Sequence, residues 1–116
     1  MNSSERTLNH SYAQALFETA KKQGSLQQTA DQAQSLRHLV EAEESLQRFL
    51  SAPNISRDEK EGLLSKIFGE KFSELTVNFV RLLIRRGRIA LLVSTLEEFD
   101  RLVLDEQGIA PGMVTT

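Results

Sequence analysis

Apolar residues recur along the chain at intervals of three and four, and the pattern lapses at glycine or proline. That is the signature of amphipathic helices rather than strands. The densest stretch is Leu75 to Leu92, LTVNFVRLLIRRGRIALL. Between Leu75 and Ile84, seven of ten residues are large and apolar: Leu75, Val77, Phe79, Val80, Leu82, Leu83 and Ile84. At about 100° per residue they cover roughly 220° of a helix surface, whereas a surface helix needs a stripe only a little over about 100° wide. Asn78, Arg81 and Arg85 fill the narrow gap. Such a helix is expected to be wrapped on more than one side and to form the centre of the core.

The first helix is expected from about Ser4 to Gln23, with Gly24 as a left-handed C′ residue. Ala13, Leu16, Phe17 and Ala20 make its core face. Leu8, Tyr12 and Ala15, with Thr19 beside them, make a second, smaller face. A lightly apolar surface with one snorkelling tyrosine fits that second face equally well. Ser25 is placed to cap a second helix over about Leu26 to Ala42, whose stripe is Leu26, Ala30, Ala33, Leu36 or Arg37, and Val40, with Leu39 alongside. A short third helix, about Ser45 to Ser51, is expected to bury Leu46, Phe49 and Leu50, and Pro53 ends it. Ser56 and Glu59 form a capping box for a fourth helix, with Leu63, Leu64, Ile67 and Phe68 as its stripe and Gly69 as its stop. Ser73 caps the fifth helix and Gly87 closes it. The sixth runs from about Ile89 or Ala90 to Gln107 on the regular stripe Ile89, Leu92, Leu96, Phe99 and Val103. Met113 to Thr116 read as the start of an extended segment. The expected class is all-α, a six-helix bundle.

Composition changes this picture little. The 116 residues are 40% hydrophobic and 26% charged with a net charge of −2, ordinary for one soluble globular domain and without a general pull toward nucleic acid or anionic lipid. The absence of cysteine excludes a disulfide framework, thiolate metal sites and a cysteine nucleophile. No apolar run reaches the roughly eighteen residues of a membrane span, so direct membrane insertion is not expected. The N-terminal residues show no targeting pattern.

No catalytic constellation stands out. His10 and His38 lack the partners at i+3 or i+4 that a metal site would want, apart from Glu41 beside His38, and read as solvated or capping residues. The glycines are scattered and form no phosphate loop. Neither a metal nor a cofactor is expected. Arg81, Arg85, Arg86 and Arg88 are the one basic cluster. Their aliphatic neighbours and the acidic balance of the chain favour a dipole-complementing helix end, paired in part with acidic residues, over phosphate contact. A third reading has them flank a protein-binding groove and select an acidic partner.

Three segments carry a resemblance. SYAQALFETAKKQG, with Tyr12, Ala13, Ala15, Leu16, Phe17, Ala20 and Gly24, is similar to the opening helix of the F-type ATP synthase δ subunit, whose mitochondrial relative is the oligomycin sensitivity-conferring protein. FLSAPNIS with the following Lys-rich helix, Phe49 to Lys66, resembles a second signature of that family. NFVRLLIRRGRIALL, Asn78 to Leu92, followed by Glu97 to Phe99, resembles a third.

The resemblance implies a six-helix N-terminal domain over residues 1–108. It also implies a non-catalytic stator role, linking the α₃β₃ catalytic head to the b-type peripheral stalk and so supporting ATP synthesis coupled to proton transport. Such a subunit would sit at the cytoplasmic face of a bacterial plasma membrane, peripheral and within the ATP synthase complex. The partner it implies is the N-terminal helix of an α subunit, gripped between the first and fifth helices, the two whose apolar arcs are too wide. Carried over by motif, the contacts are Tyr12, Ala15, Leu16 and Thr19 on the first helix. On the fifth they are Leu75, Asn78, Phe79, Leu82 and Arg86. Family members continue into a C-terminal domain that contacts the stalk. Residues 109–116 resemble a linker or the first strand of that domain, so the sequence is expected to be a fragment or excised domain, with stalk contact only through the missing part. A free-standing helical adaptor using the same groove for another amphipathic helix is the alternative. An RNA-binding or enzymatic use of the arginine cluster is a third reading.

Overall fold

Six α-helices account for most of residues 3–108, the part of the chain described by the computed structural model, and no strand occurs among those residues. They are α1 (Ser3–Lys22), α2 (Leu26–Ala42), α3 (Glu44–Ser51), α4 (Arg57–Phe68), α5 (Glu74–Arg85) and α6 (Leu92–Glu106). A 3₁₀ turn, Ile89–Leu91, leads into α6. The extended segment expected at Met113–Thr116 lies outside the described residues.

Local chemistry sets most of the helix ends. Gly87 adopts φ +67°, and the amides of Gly87 and Arg88 return to the carbonyls of Ile84 (3.1 Å) and Leu83 (2.8 Å). This crossed pair satisfies carbonyls that the helix end would otherwise leave open, and only glycine reaches that backbone angle without strain. Ser73 Oγ accepts from the Thr76 amide at 3.4 Å, and Ser56 Oγ accepts from the Glu59 amide at 3.1 Å. The second half of the expected capping box differs. The Glu59 carboxylate accepts from the Ser56 hydroxyl at 3.1 Å. Ser25 also departs from expectation. Its hydroxyl turns back to the Ala20 carbonyl at 3.4 Å, inside the turn that closes α1, and α2 starts with no side-chain cap.

The centre of the core is α6 rather than α5. The most extensive helix contacts join α6 to α1 and α6 to α2. Leu92, Leu96, Phe99 and Val103 are all buried, as the regular stripe anticipates. Two polar contacts fix the register of α1 on α6. Asn9, only 6% exposed, accepts from Thr95 Oγ1 at 3.1 Å and from Ser94 Oγ at 3.3 Å. Lys21 pairs with Glu106 at 2.6 Å near the other end. The two helices therefore run in the same sense. On α2, Gln27 meets Gln107, while Val40 shares a cavity with Leu92, so α2 runs the opposite way. The Gln32 side-chain oxygen accepts from the Ser73 amide and the Thr76 hydroxyl, both at 2.8 Å. This clamp seats the start of α5 against the middle of α2. The end of α5 leads to Ile89, beside Val40. Thus α5 follows α2 and opposes α1.

Several residues expected in the core stop short of it. In α4, Leu64 and Phe68 are buried, but Leu63 is half-buried and Ile67 is 38% exposed. In α3 only Leu50 is buried, with Leu46 and Phe49 half-covered. Phe17 is half-buried at the edge of the core, with the Lys21 ammonium 5.7 Å from its ring centroid. Within α2, Leu36 rather than Arg37 takes the inward position.

An ion network spans α1 and α6 on the surface. His10 Nδ1 donates to Glu98 at 2.8 Å, and Arg101 donates to Glu98 through Nε and Nη2, both at 2.8 Å. The Arg101 hydrogen bonds, with a smaller contribution from His10, hold the Glu98 carboxyl down at about 2. A carboxyl held below its unfolded value of 4.5 stabilises the fold above that pH, and the stabilisation fades as pH falls toward 2. Denaturant midpoints measured across that acid range should therefore fall more steeply for the native chain than for Glu98→Gln. At neutral pH the same substitution should cost no more than about 1 kcal/mol, the upper end for solvent-accessible ion pairs.

Gly62 lies inside α4, is exposed, and has open space where a Cβ would point. Gly62→Ala should raise stability by about 0.5–1 kcal/mol, the usual penalty of an interior helical glycine. Thermal unfolding should show this as an upward shift of a few °C, at about 4–8 °C per kcal/mol for a domain of this size. A fall in the midpoint would mean that the position is strained in a way its surroundings do not reveal.

Candidate functional site

The excess apolar arcs of α1 and α5 meet at one place. Ala15, Leu16 and Thr19 from α1 and Leu75, Asn78, Phe79 and Leu82 from α5 line a surface cleft of about 170 Å³. The two helices share no extensive packing with each other. They act as separate walls, one held by α6 and the other by α2 and α4. Leu16 and Phe79 are buried and form the floor. Leu75 and Leu82 are half-buried, and Ala15 and Thr19 are exposed on the opposite wall. The small Ala15 leaves room for another backbone to approach closely.

Polar groups in the cleft are few and mostly engaged. Thr19 Oγ1 donates to the Ala15 carbonyl at 2.8 Å. The Asn78 side-chain oxygen accepts from Arg81 Nη1 at 2.9 Å, and its amide N–H₂ donates to none of the described residues. Arg81 also reaches Ser65 Oγ at 2.9 Å and lies 3.3 Å from Glu61. Arg85 pairs with the same Glu61 carboxylate at 2.9 Å, and the hydrogen bond and charge of Glu61 push its pKa upward. Two of the four arginines therefore brace α5 against α4. Arg86 and Arg88 are exposed with no ion pair among the described residues.

Seven of the nine expected contact residues line this cleft. Tyr12 and Arg86 do not. Tyr12 is half-buried one turn before Leu16, and Arg86 is the C-cap of α5. Because α1 and α5 run in opposite senses, both residues lie beyond the same end of the cleft. They would extend its walls rather than line its centre.

A second apolar depression lies elsewhere, between α3 and α4. Leu39, Glu43, Ser45, Leu46, Phe49, Leu63, Ile67 and Lys71 line about 370 Å³ of it. The adjoining part, about 420 Å³, is lined by Phe49, Glu59, Gly62, Leu63 and Lys66. Sequence reading assigned Leu46, Phe49, Leu63 and Ile67 to the core and so passed over this surface. The signal was present in α4, whose apolar pairs at 63–64 and 67–68 are adjacent and so spread around the helix.

Chemically, both depressions are surfaces for apolar burial. The described residues contain no group of three His, Cys, Asp or Glu side chains placed to hold a metal ion. Among them, no helix is long and apolar enough to cross a membrane. His10 belongs to the α1–α6 ion network.

The sequence is similar to several curated ATP synthase delta subunits. It is 31% identical to the ATP synthase subunit delta of Salinibacter ruber over 97% of this chain and 59% of that protein. It is 36% identical to the chloroplastic ATP synthase subunit delta of Emiliania huxleyi over 90% of this chain and 58% of that protein. With the ATP synthase subunit delta of Dehalococcoides mccartyi the identity is 34%, over 90% and 57% respectively. The chain thus spans less than two thirds of the length of these relatives. The family model for the ATP synthase delta (OSCP) subunit matches residues 8–116, nearly the whole sequence, and the chain belongs to that family.

Proposed function

We propose that this domain is a non-catalytic stator joint of a rotary ATP synthase, and that its α1–α5 cleft grips the N-terminal helix of an α subunit. The observation that carries this reading is the cleft itself. Two helices with more apolar surface than the fold requires line one narrow, mostly aliphatic groove. A partner helix presenting an apolar stripe at i, i+3, i+4 and i+7 would bury its side chains against Leu16, Leu75, Phe79 and Leu82. Ala15 permits close approach, and Asn78 offers a donor to a polar group on the partner. Arg86, at the end of the same groove, would meet an acidic residue at the rim, where charge directs the approach more than it adds affinity.

Rotation of the central shaft loads the catalytic head with torque, and a stator contact must hold the head through each step. Slow dissociation serves that purpose, and dissociation rate is where interface quality is mostly expressed. The domain would lie on the cytoplasmic side of a bacterial plasma membrane as a peripheral part of the complex. Contact with the b-type stalk would come through sequence beyond this domain.

Titration calorimetry of the chain with a peptide of the α-subunit N-terminus should give a Kd between nanomolar and micromolar, about −8 to −12 kcal/mol. Ala15→Asp places a carboxylate against an apolar groove and should weaken binding by about 1–3 kcal/mol. Tyr12→Ala should weaken it less, because Tyr12 stands at the edge. Unchanged affinity for Ala15→Asp would remove the cleft from the interface. An absence of peptide binding would return the chain to a free-standing helical adaptor.

A further inference from the structure

The α3–α4 depression resembles a binding surface more than an accident of packing, for three reasons that are independent of the α1–α5 cleft. First, it is large and apolar. Its two parts share Phe49 and Leu63, so they form one continuous groove, and its rim carries Ile67, the exposed large hydrophobic residue among those described. From Glu59 to Ile67 its α4 wall spans about 12 Å at about 1.5 Å per residue, a little over two helical turns.

Second, Gly62 lies in the wall of the groove. A glycine inside a helix weakens that helix. Nothing in the domain is obstructed here, since a Cβ at this position would meet no atom within 4 Å. The missing side chain leaves this part of the groove wall open to close approach by a backbone from outside.

Third, the walls carry charges of opposite sign, three of them without an ion pair among the described residues. Glu43 lines the α2–α3 side, while Lys66 and Lys71 line the α4 side together with Glu59, whose carboxylate is engaged by the Ser56 hydroxyl at 3.1 Å. Among the described residues, Glu43, Lys66 and Lys71 make no ion pair.

We propose that the α3–α4 groove docks an amphipathic helix of another protein, with a leucine-type stripe over Phe49 and Leu63 and a small residue against Gly62. That helix carries acidic residues along the flank facing Lys66 and Lys71 and a basic residue on the flank facing Glu43. Reversing a helix exchanges its two flanks, so the opposed walls also fix the direction in which the partner lies.

The test uses the whole chain and a synthetic peptide of about five helical turns, with a Leu stripe, a central Ala, one Glu-bearing flank and one Lys-bearing flank. Amide chemical shifts at Leu46, Phe49, Leu63 and Ile67 should move on titration, while those at Ala15 and Leu82 stay in place. Gly62→Leu should weaken binding at least about tenfold, and Lys66→Glu with Lys71→Glu should do the same. Ala15→Asp should have no effect, which separates this groove from the other. Gly62→Leu should melt no lower than the native chain, so a loss of binding cannot be ascribed to unfolding. A control peptide with lysine on both flanks should bind more weakly. The proposal is overturned by shifts that appear at Leu82 instead, or by an affinity that Gly62→Leu leaves unchanged. It is also overturned if Ile67 becomes protected in a dimer of the chain alone, which would make the occupant a second copy.

Discussion

The burial of α6 between α1 and α2 is the constraint from which the other surfaces follow. Leu96, Phe99 and Val103 are 2%, 0% and 3% exposed, and each such side chain contributes roughly 1.5–3 kcal/mol when removed from water. The stripe is too regular to leave α6 a choice of face. Once it is seated, the Asn9 side-chain oxygen accepts from Thr95 and Ser94, and a shifted register would strip those hydrogen bonds from a buried amide, at a cost. This polar contact selects one register among several that apolar packing alone would tolerate. With α1 and α2 fixed on α6, the Gln32 clamp places α5, and α5 in turn carries α4.

That order explains what could be read from the chain. The helical class, the closing turns at Gly24 and Gly87 and the caps at Ser56 and Ser73 all depend on residues within a few positions of one another. The stripe of α6 is legible for the same reason. The hub was misplaced because apolar arc width counts how much surface a helix must cover, not which helix covers it. The wide arc of α5 reflects one face packed inward and Leu75 and Leu82 left at a cleft. Asn9 was invisible because a polar residue in a periodic pattern reads as solvent-facing, and its partners are 85 and 86 positions away. The pairing of His10 with Glu98 hides behind a similar separation of 88.

The two grooves show the same limit from opposite sides. In α1 and α5 the surplus of apolar surface was large enough to notice, and the resemblance named residues that do converge. In α4 the surplus was hidden, because Leu63 and Leu64, like Ile67 and Phe68, are neighbours in sequence but belong to different faces. Only the packed structure separates Leu64 and Phe68, which are buried, from the outward-facing Leu63 and Ile67. Gly62 falls inside a helix rather than at its end. Its meaning depended on knowing that the space above it is open.

The walls of the α1–α5 cleft rest on different neighbours: α1 chiefly on α6, and α5 on α2 and α4. A helix lodged between them would join two helices that otherwise meet chiefly through shared neighbours. Its binding energy would add to the work of opening either one, so the local stability of α1 and of α5 would rise together with ligand concentration. A helix lodged there would act as a keystone between its two walls, and the domain would be least yielding when the cleft is occupied.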